Sequence, residues 1–185
     1  MNLKLISTLL LFAATLSLNA QMLTPERDYT RHDTLRGKLL PERTCYDVTY
    51  YHLDIRIDPK QKFISGSNEM HYRATKDFKK LQVDLFANME IHSITQNGAE
   101  LRFERDSNAT FVHFDKPQKE GSINAIKIYY SGHPQIAKNA PWDGGFVFKK
   151  DRDGNPWIGV ACEGLGASVW WPNKDHLSDE PDSMM

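Results

Sequence analysis

The stretch YDVTYYHLDIRID, Tyr46 to Asp58, does most to limit what this chain can become. Tyr51, Leu53, Ile55 and Ile57 alternate with His52, Asp54 and Arg56, while Val48 and Tyr50 share the parity of the polar set. Side chains of an extended strand point alternately to opposite faces, so the pattern predicts a half-buried strand with its odd-numbered face inward. Asp58-Pro59-Lys60 supplies a turn, and Lys62–Ala74 reads as the hairpin partner. The alternation then recurs. Leu81–Phe86 places Leu81, Val83 and Leu85 on one side. Glu90–Thr95 precedes Asn97-Gly98, a strong hairpin signal, and then Leu101–Phe103. Thr110–Phe114, Ile123–Tyr130, Gly144–Lys149 and Trp157–Ala161 complete the set. Eight to ten short strands with closely spaced turns, and no helical period after the first 20 residues, predict an all-β antiparallel sandwich or curved sheet.

The strands are preceded by a different kind of sequence. Met1–Lys4 is short and positive, Leu5–Leu18 is apolar for 14 residues, and Leu18-Asn19-Ala20 offers a small residue for cleavage. That order predicts a signal peptide over residues 1–20. The apolar run is shorter than the roughly 20 residues a spanning helix needs. No cysteine stands after the cut to carry a lipid, and no later segment could cross a bilayer. The expected location is the periplasm or the cell exterior. Residues 21–42, polar, without period and broken by Pro25 and Pro41, read as an extended lead-in. Residues 43–185 then make one β-domain, long enough for a real core. The 23 basic residues, Lys4 among them, meet 24 acidic ones, which leaves no electrostatic footprint for nucleic acid or for an anionic membrane. Cys45 and Cys162 are the two cysteines; whether they pair depends on a Cα separation that the fold decides.

Few motifs carry chemistry. No two of the seven histidines sit at ligand spacing on one element, and neither HExxH nor CxxC occurs, so no metal site is expected of this chain by itself. Asp151-Arg152-Asp153-Gly154-Asn155 has the acids of a calcium loop, but its glycine comes fourth and Cys162 occupies the twelfth position. It reads as a hairpin turn. Asn108-Ala109-Thr110 fits a glycosylation acceptor. Ser65, Ser67 and Ser168 lack the strand–turn–helix setting of a nucleophilic serine. Cys162 reads as a small residue packed at a strand end, with a thiol nucleophile as the other reading. Trp142, Trp157, Trp170 and Trp171, with Phe146 and Phe148, crowd the last quarter of the chain. Such rings fill a core, cover an interface or form a platform for sugars. Glu163 is the residue placed for recognition. It follows a strand between Cys162 and Gly164, with Gly166 close behind. Glycines let a ligand approach the backbone closely, and a carboxylate there suits an ammonium group.

Three segments together resemble a known family. YDVTYYHLDIRIDPKQKFISGSNEMHY (Tyr46–Tyr72), LQVDLFANMEIHSI (Leu81–Ile94) and ACEGLGASVWWPNKDHLSDEPD (Ala161–Asp182) are similar, in order and spacing, to the N-terminal β-domain of M1-family zinc aminopeptidases, the group of aminopeptidase N and leukotriene A4 hydrolase. The resemblance runs from about Arg43 to Met185. It implies an antiparallel, saddle-shaped, β-sandwich-like domain over a thermolysin-like catalytic domain, in an enzyme that removes N-terminal residues from peptides. It also implies that Glu163, on the family's Q-C-[EQ] segment, anchors the substrate's free α-amino group beside Cys162 and Gly164. Ala161 stands where Gln is frequent, and Asn173 where Cys is common. The tract Trp171–Asp175 through Asp179-Glu180-Pro181-Asp182 is similar to the family's W-P-C-x-D…D-E-P-D and reads as structural. The G-x-M-E-N stretch and the HExxH zinc site that the family's chemistry requires do not occur. The expectation is therefore a domain truncated before its catalytic partner, without zinc and inactive alone. A free-standing carbohydrate- or protein-binding β-domain is the alternative.

Overall fold

The computed structural model describes residues 29–185; the expected signal peptide lies outside the described residues, as do residues 21–28 of the lead-in. Arg31–Met185 pack as one unit. Among the described residues, eleven strands follow two short helices, α1 (Arg31–Gly37) and α2 (Pro41–Thr44). They are β1 (Tyr46–Asp58), β2 (Phe63–Ala74), β3 (Phe78–Asp84), β4 (Met89–Gln96), β5 (Ala99–Glu100), β6 (Arg102–Asp106), β7 (Ala109–Gln118), β8 (Ile123–Gly132), β9 (Gly145–Lys150), β10 (Pro156–Ala161) and β11 (Ser183–Met184). The largest sheet has the order β11-β1-β2-β8-β4-β5; β3-β7-β6 form a second and β9-β10 a third. Apart from β11, which joins β1 in parallel, the pairings are antiparallel. The all-β expectation holds.

Local chemistry explains the joints. Asp58 Oδ1 accepts the backbone N–H groups of Lys60 and Gln61 at 2.9 and 3.0 Å, closing the β1–β2 turn. Asn97 and Gly98 both have positive φ, 51° and 80°, so β4 and β5 meet through a two-residue turn whose twist matches the strands. Asp151 accepts the N–H groups of Asp153 and Asn155 at 2.9 and 2.8 Å while Gly154 takes φ 86°, and the loop between β9 and β10 is the expected hairpin.

The core lies between the first two sheets. Met70, Tyr72, Ile126 and Ile128 from the large sheet share one buried cluster with Leu81, Val83, Val112 and Phe114 from the smaller one. Tilted rings of Tyr72 and Phe78 meet across the two layers at 6.1 Å, and Phe78 meets Phe114 of its own sheet edge-to-face at 5.7 Å. On β1 a bulge between Val48 and Tyr50 changes which parity faces inward. Tyr46 and Val48 are buried before it, Tyr51 after it, and Leu53, Ile55 and Ile57 pack against the core from there on. Val48 thus joins the inward set, contrary to the strict alternation, because one extra residue rotates the strand by one side-chain position.

The lead-in differs from its extended expectation. Residues 31–37 form α1, with Asp33 in its first turn, Arg36 in its last and Leu35 buried beneath it. Seven residues with one apolar anchor are too few to display a 3.6-residue period, which is why the helix does not show in the pattern. Cys45 is buried, Cys162 is exposed, and both thiols are free.

Candidate functional site

Glu163 sits where β10 gives way to a turn over residues 162–166. Cys162 C=O accepts the N–H groups of Leu165 and Gly166 at 3.1 and 3.0 Å, so the chain reverses tightly. Gly164 and Gly166 hold φ 66° and 77°, a region that favours glycine. Cys162, Glu163 and Gly164, the three expected site residues, are adjacent and exposed, and Glu163 has no hydrogen bond or ion pair among the described residues. A free carboxylate on a tight turn can accept an ammonium without first breaking another bond.

The turn is built from below. A Cβ on Gly166 would lie 2.2 Å from the Asp175 carboxylate oxygens, so the glycine lets Asp175 press against the backbone. Asp175 Oδ2 in turn accepts the Ser168 N–H at 3.2 Å and the Ser168 hydroxyl. Gly144 makes room in the same way for Leu165 and the Glu163 carbonyl. A second support comes from α1, where Arg36 Nη2 donates to Gly164 C=O at 2.6 Å.

Both supports lead back to a buried ion pair. Arg43 Nη2 lies 2.9 Å from Asp84 Oδ1, with side chains 0% and 7% exposed. Asp84 Oδ1 also accepts Gln82 Nε2 at 2.8 Å, and its Oδ2 accepts the Asp175 N–H at 3.1 Å. Arg43 and Gln82 both donate to Leu35 C=O, at 2.7 and 3.0 Å, which fixes α1. Arg43 Nη1 donates to Asp175 C=O at 2.9 Å. Burial raises the Asp84 carboxyl to about 6, against the pull of Arg43 and the Gln82 hydrogen bond. These residues were not candidates from sequence. Gln82 and Asp84 lie on the polar parity of LQVDLF, which reads as a wet face. In the fold α1, α2 and the closing tract cover that face, so β3 is buried on both sides from Leu81 to Asp84.

Several residues of the closing tract pack into the domain. Lys174 Nζ pairs with Asp179, donates to Tyr46 C=O and lies 4.4 Å from the centre of the Tyr46 ring. Asp179 accepts the Val48 N–H at 3.3 Å, at the bulge where β1 loses regular pairing. Trp171 is 7% exposed and meets the Tyr51 ring edge-to-face at 4.8 Å. Trp170 contacts Phe146 at 5.7 Å and Trp171 at 6.1 Å. The tryptophans therefore divide: Trp170 and Trp171 pack inward, while Trp142 and Trp157 are exposed. The rings in mutual contact are the core ones, which gives a sugar platform little support.

Cys162 is exposed rather than packed at the strand end. Desolvation raises its thiol above the ordinary value, opposed by a hydrogen bond with Trp170, so the nucleophilic thiolate is disfavoured. Asn108 uses its amide oxygen to accept the Ala87 N–H at 2.9 Å, a contact that a glycan there would have to respect. Among the described residues no three His, Cys, Asp or Glu side chains converge to hold a metal, and no helix is long and apolar enough to cross a membrane.

No family model and no curated relative matches the sequence. Solved structures do match. An M1 zinc metallopeptidase from Deinococcus radiodurans aligns at TM-score 0.56 and 19% identity, over 74% of this chain and 30% of that one. A variant of that enzyme bound to a Tyr-Ser-Ala substrate aligns at 0.57 and 20%, over 72% and 30%. Native leukotriene A4 hydrolase from Saccharomyces cerevisiae aligns at 0.59 and 13%, over 84% and 25%. At these identities the likeness is one of fold. The chain has the fold of the M1 peptidase N-terminal β-domain and spans about a third or less of the length of these enzymes.

Proposed function

We propose that this chain is the N-terminal domain of an exported M1-type zinc aminopeptidase, and that Glu163 anchors the α-amino group of a peptide substrate. The observation that carries the reading is the shared fold together with an exposed Glu163, unpaired among the described residues, on a turn held by two separate contacts. A carboxylate in that state binds a free N-terminal ammonium by charge-assisted hydrogen bonds and gives no such bond to a blocked terminus. That preference is what an exopeptidase needs. In this proposal the zinc, its activated water and the general base belong to the catalytic domain, because the described residues do not converge on a metal. The leader over residues 1–20 would deliver the domain to the periplasm or the cell exterior.

The test has two arms. The 185-residue chain alone, with zinc added, should release nothing from amino-acid anilides; turnover that survives repurification and disappears with chelator overturns the division of labour. In the enzyme that joins this domain to its catalytic domain, Glu163→Gln should lower kcat/KM for unblocked peptides about 10- to 100-fold, mostly through KM, as expected for one charge-assisted hydrogen bond. Unchanged kinetics would remove Glu163 from the site.

A further inference from the structure

We propose that Arg36 is a positioning residue for the Glu163 turn, so that α1, from the segment ahead of the β-domain, helps to aim the carboxylate that receives the substrate amine. The inference rests on the reading of Glu163 given above and adds to it a residue far away in the sequence. Two of the five residues after β10, Gly164 and Gly166, have positive φ, and glycine lowers the barriers to other conformations as well as to this one. A turn of that composition points its one charged side chain in a fixed direction only if its backbone is held from outside. Gly166 is held from the core side by Asp175. Gly164 is held by a second, separate contact, where its carbonyl accepts Arg36 Nη2 at 2.6 Å. The Gly164 carbonyl belongs to the Gly164–Leu165 peptide plane, one plane beyond Glu163, so this contact fixes the backbone immediately after the carboxylate-bearing residue.

Arg36 can serve only if α1 is itself immobile, and the structure provides for that. The Leu35 carbonyl, next to Arg36, accepts both Arg43 Nη2 and Gln82 Nε2. The Gly37 carbonyl, on its other side, contacts His176 Nε2 at 3.2 Å. Asp84 is the fork from which both holds extend: its Oδ1 takes Arg43 and Gln82 and so reaches α1, and its Oδ2 takes the Asp175 N–H and so reaches Gly166. One buried carboxylate thus fixes the distance between the two clamps on the turn. Short side-chain reach alone would not do this, because α1 has seven residues and cannot stay folded without such anchors.

Amide hydrogen exchange on the 185-residue chain tests the geometry independently of any catalysis. In Arg36→Ala the Leu165 and Gly166 amides should exchange at least tenfold faster, while the Met70 and Ile128 amides in β2 and β8 keep their rates. Arg36→Lys, which retains a donor, should restore most of the protection. Equal rates at Leu165 and Gly166 in Arg36→Ala and the parent, or a uniform acceleration across the domain, would overturn the proposal. In the assembled enzyme, Arg36→Ala should raise KM for an unblocked peptide three- to tenfold with kcat little changed, and Arg36→Lys should recover it. Run beside Glu163→Gln, the two failures separate: an inert Glu163→Gln refutes the site, whereas an effective Glu163→Gln with an inert Arg36→Ala refutes the positioning role alone.

Discussion

Replacing Arg43 by alanine should be among the most damaging single changes in this domain, and its cost should depend on pH. Arg43 is fully buried and donates to Asp84 Oδ1, Leu35 C=O and Asp175 C=O. Alanine removes all three bonds and leaves a buried carboxylate without its counter-charge. Breaking a buried ion pair by deleting one partner costs about 3–5 kcal/mol. For a domain of this size each kcal/mol lowers Tm by about 2–4 °C, so the midpoint should fall by on the order of 10 °C. The Asp84 carboxyl already stands at about 6 in the intact protein, above its unfolded value near 4. A raised carboxyl pKa means that the folded state binds the extra proton, so ionising Asp84 costs stability above the folded pKa and costs nothing below the unfolded one. In the intact domain that cost amounts to about 3 kcal/mol at neutral pH. Without Arg43 the folded value rises further, so Arg43→Ala should lose most near pH 8 and much less near pH 5. Thermal melts followed by circular dichroism across that range measure the effect. A loss below about 1 kcal/mol at pH 8, or one that is the same at pH 5, would refute the view that Arg43 is the counter-charge to an ionised Asp84.

Two further outcomes follow from burial. Trp171→Ala should cost about 3–5 kcal/mol in urea unfolding, because the ring is 7% exposed and lies against Tyr51 and Trp170, while Trp142→Ala, at a residue 83% exposed, should stay within about 0.5 kcal/mol; comparable losses would contradict the division between packed and exposed tryptophans. With a thiol reagent the native protein should titrate one cysteine slowly and the unfolded protein two. Burial pushes the Cys45 thiol up to about 11 and raises that of exposed Cys162 to a lesser degree, so the rate at Cys162 should keep climbing from pH 7 to 9; fast labelling at pH 7 would show a thiolate.

The strands were legible because their cause is local. Leu81, Val83 and Leu85 alternate in sequence and are all fully buried in the fold, and Asn97-Gly98 makes the turn its positive φ preference demands. The Glu163 turn was also legible as a place, since glycines around a charged residue after a strand carry a conformational meaning without any partner. The identity of its supports was not. Arg36, Arg43, Asp84 and Asp175 are separated by up to 139 residues in sequence; the Trp171–Asp175 tract marks Asp175 without naming its partners, and nothing in their neighbourhoods sets the other three apart from the remaining charged residues of a chain with 23 basic and 24 acidic side chains. Val48 shows the same limit on a smaller scale: a bulge depends on what the neighbouring strand and the Asp179 carboxylate can satisfy, so parity alone misplaces it.

By itself, then, the sequence determined the all-β class, the positions of the strands and hairpins, and a glycine-flanked turn that carries Glu163, because period, turn preference and residue chemistry act over a few neighbours. Tertiary structure alone decided that the polar face of β3 is interior, that residues 31–37 become a helix, that the two cysteines stay apart as free thiols, and that Asp84 ties together both clamps on the Glu163 turn. Whether a charged side chain is solvated or buried depends on which distant segment covers it. That choice is made by long-range packing, which leaves no periodic trace in the chain.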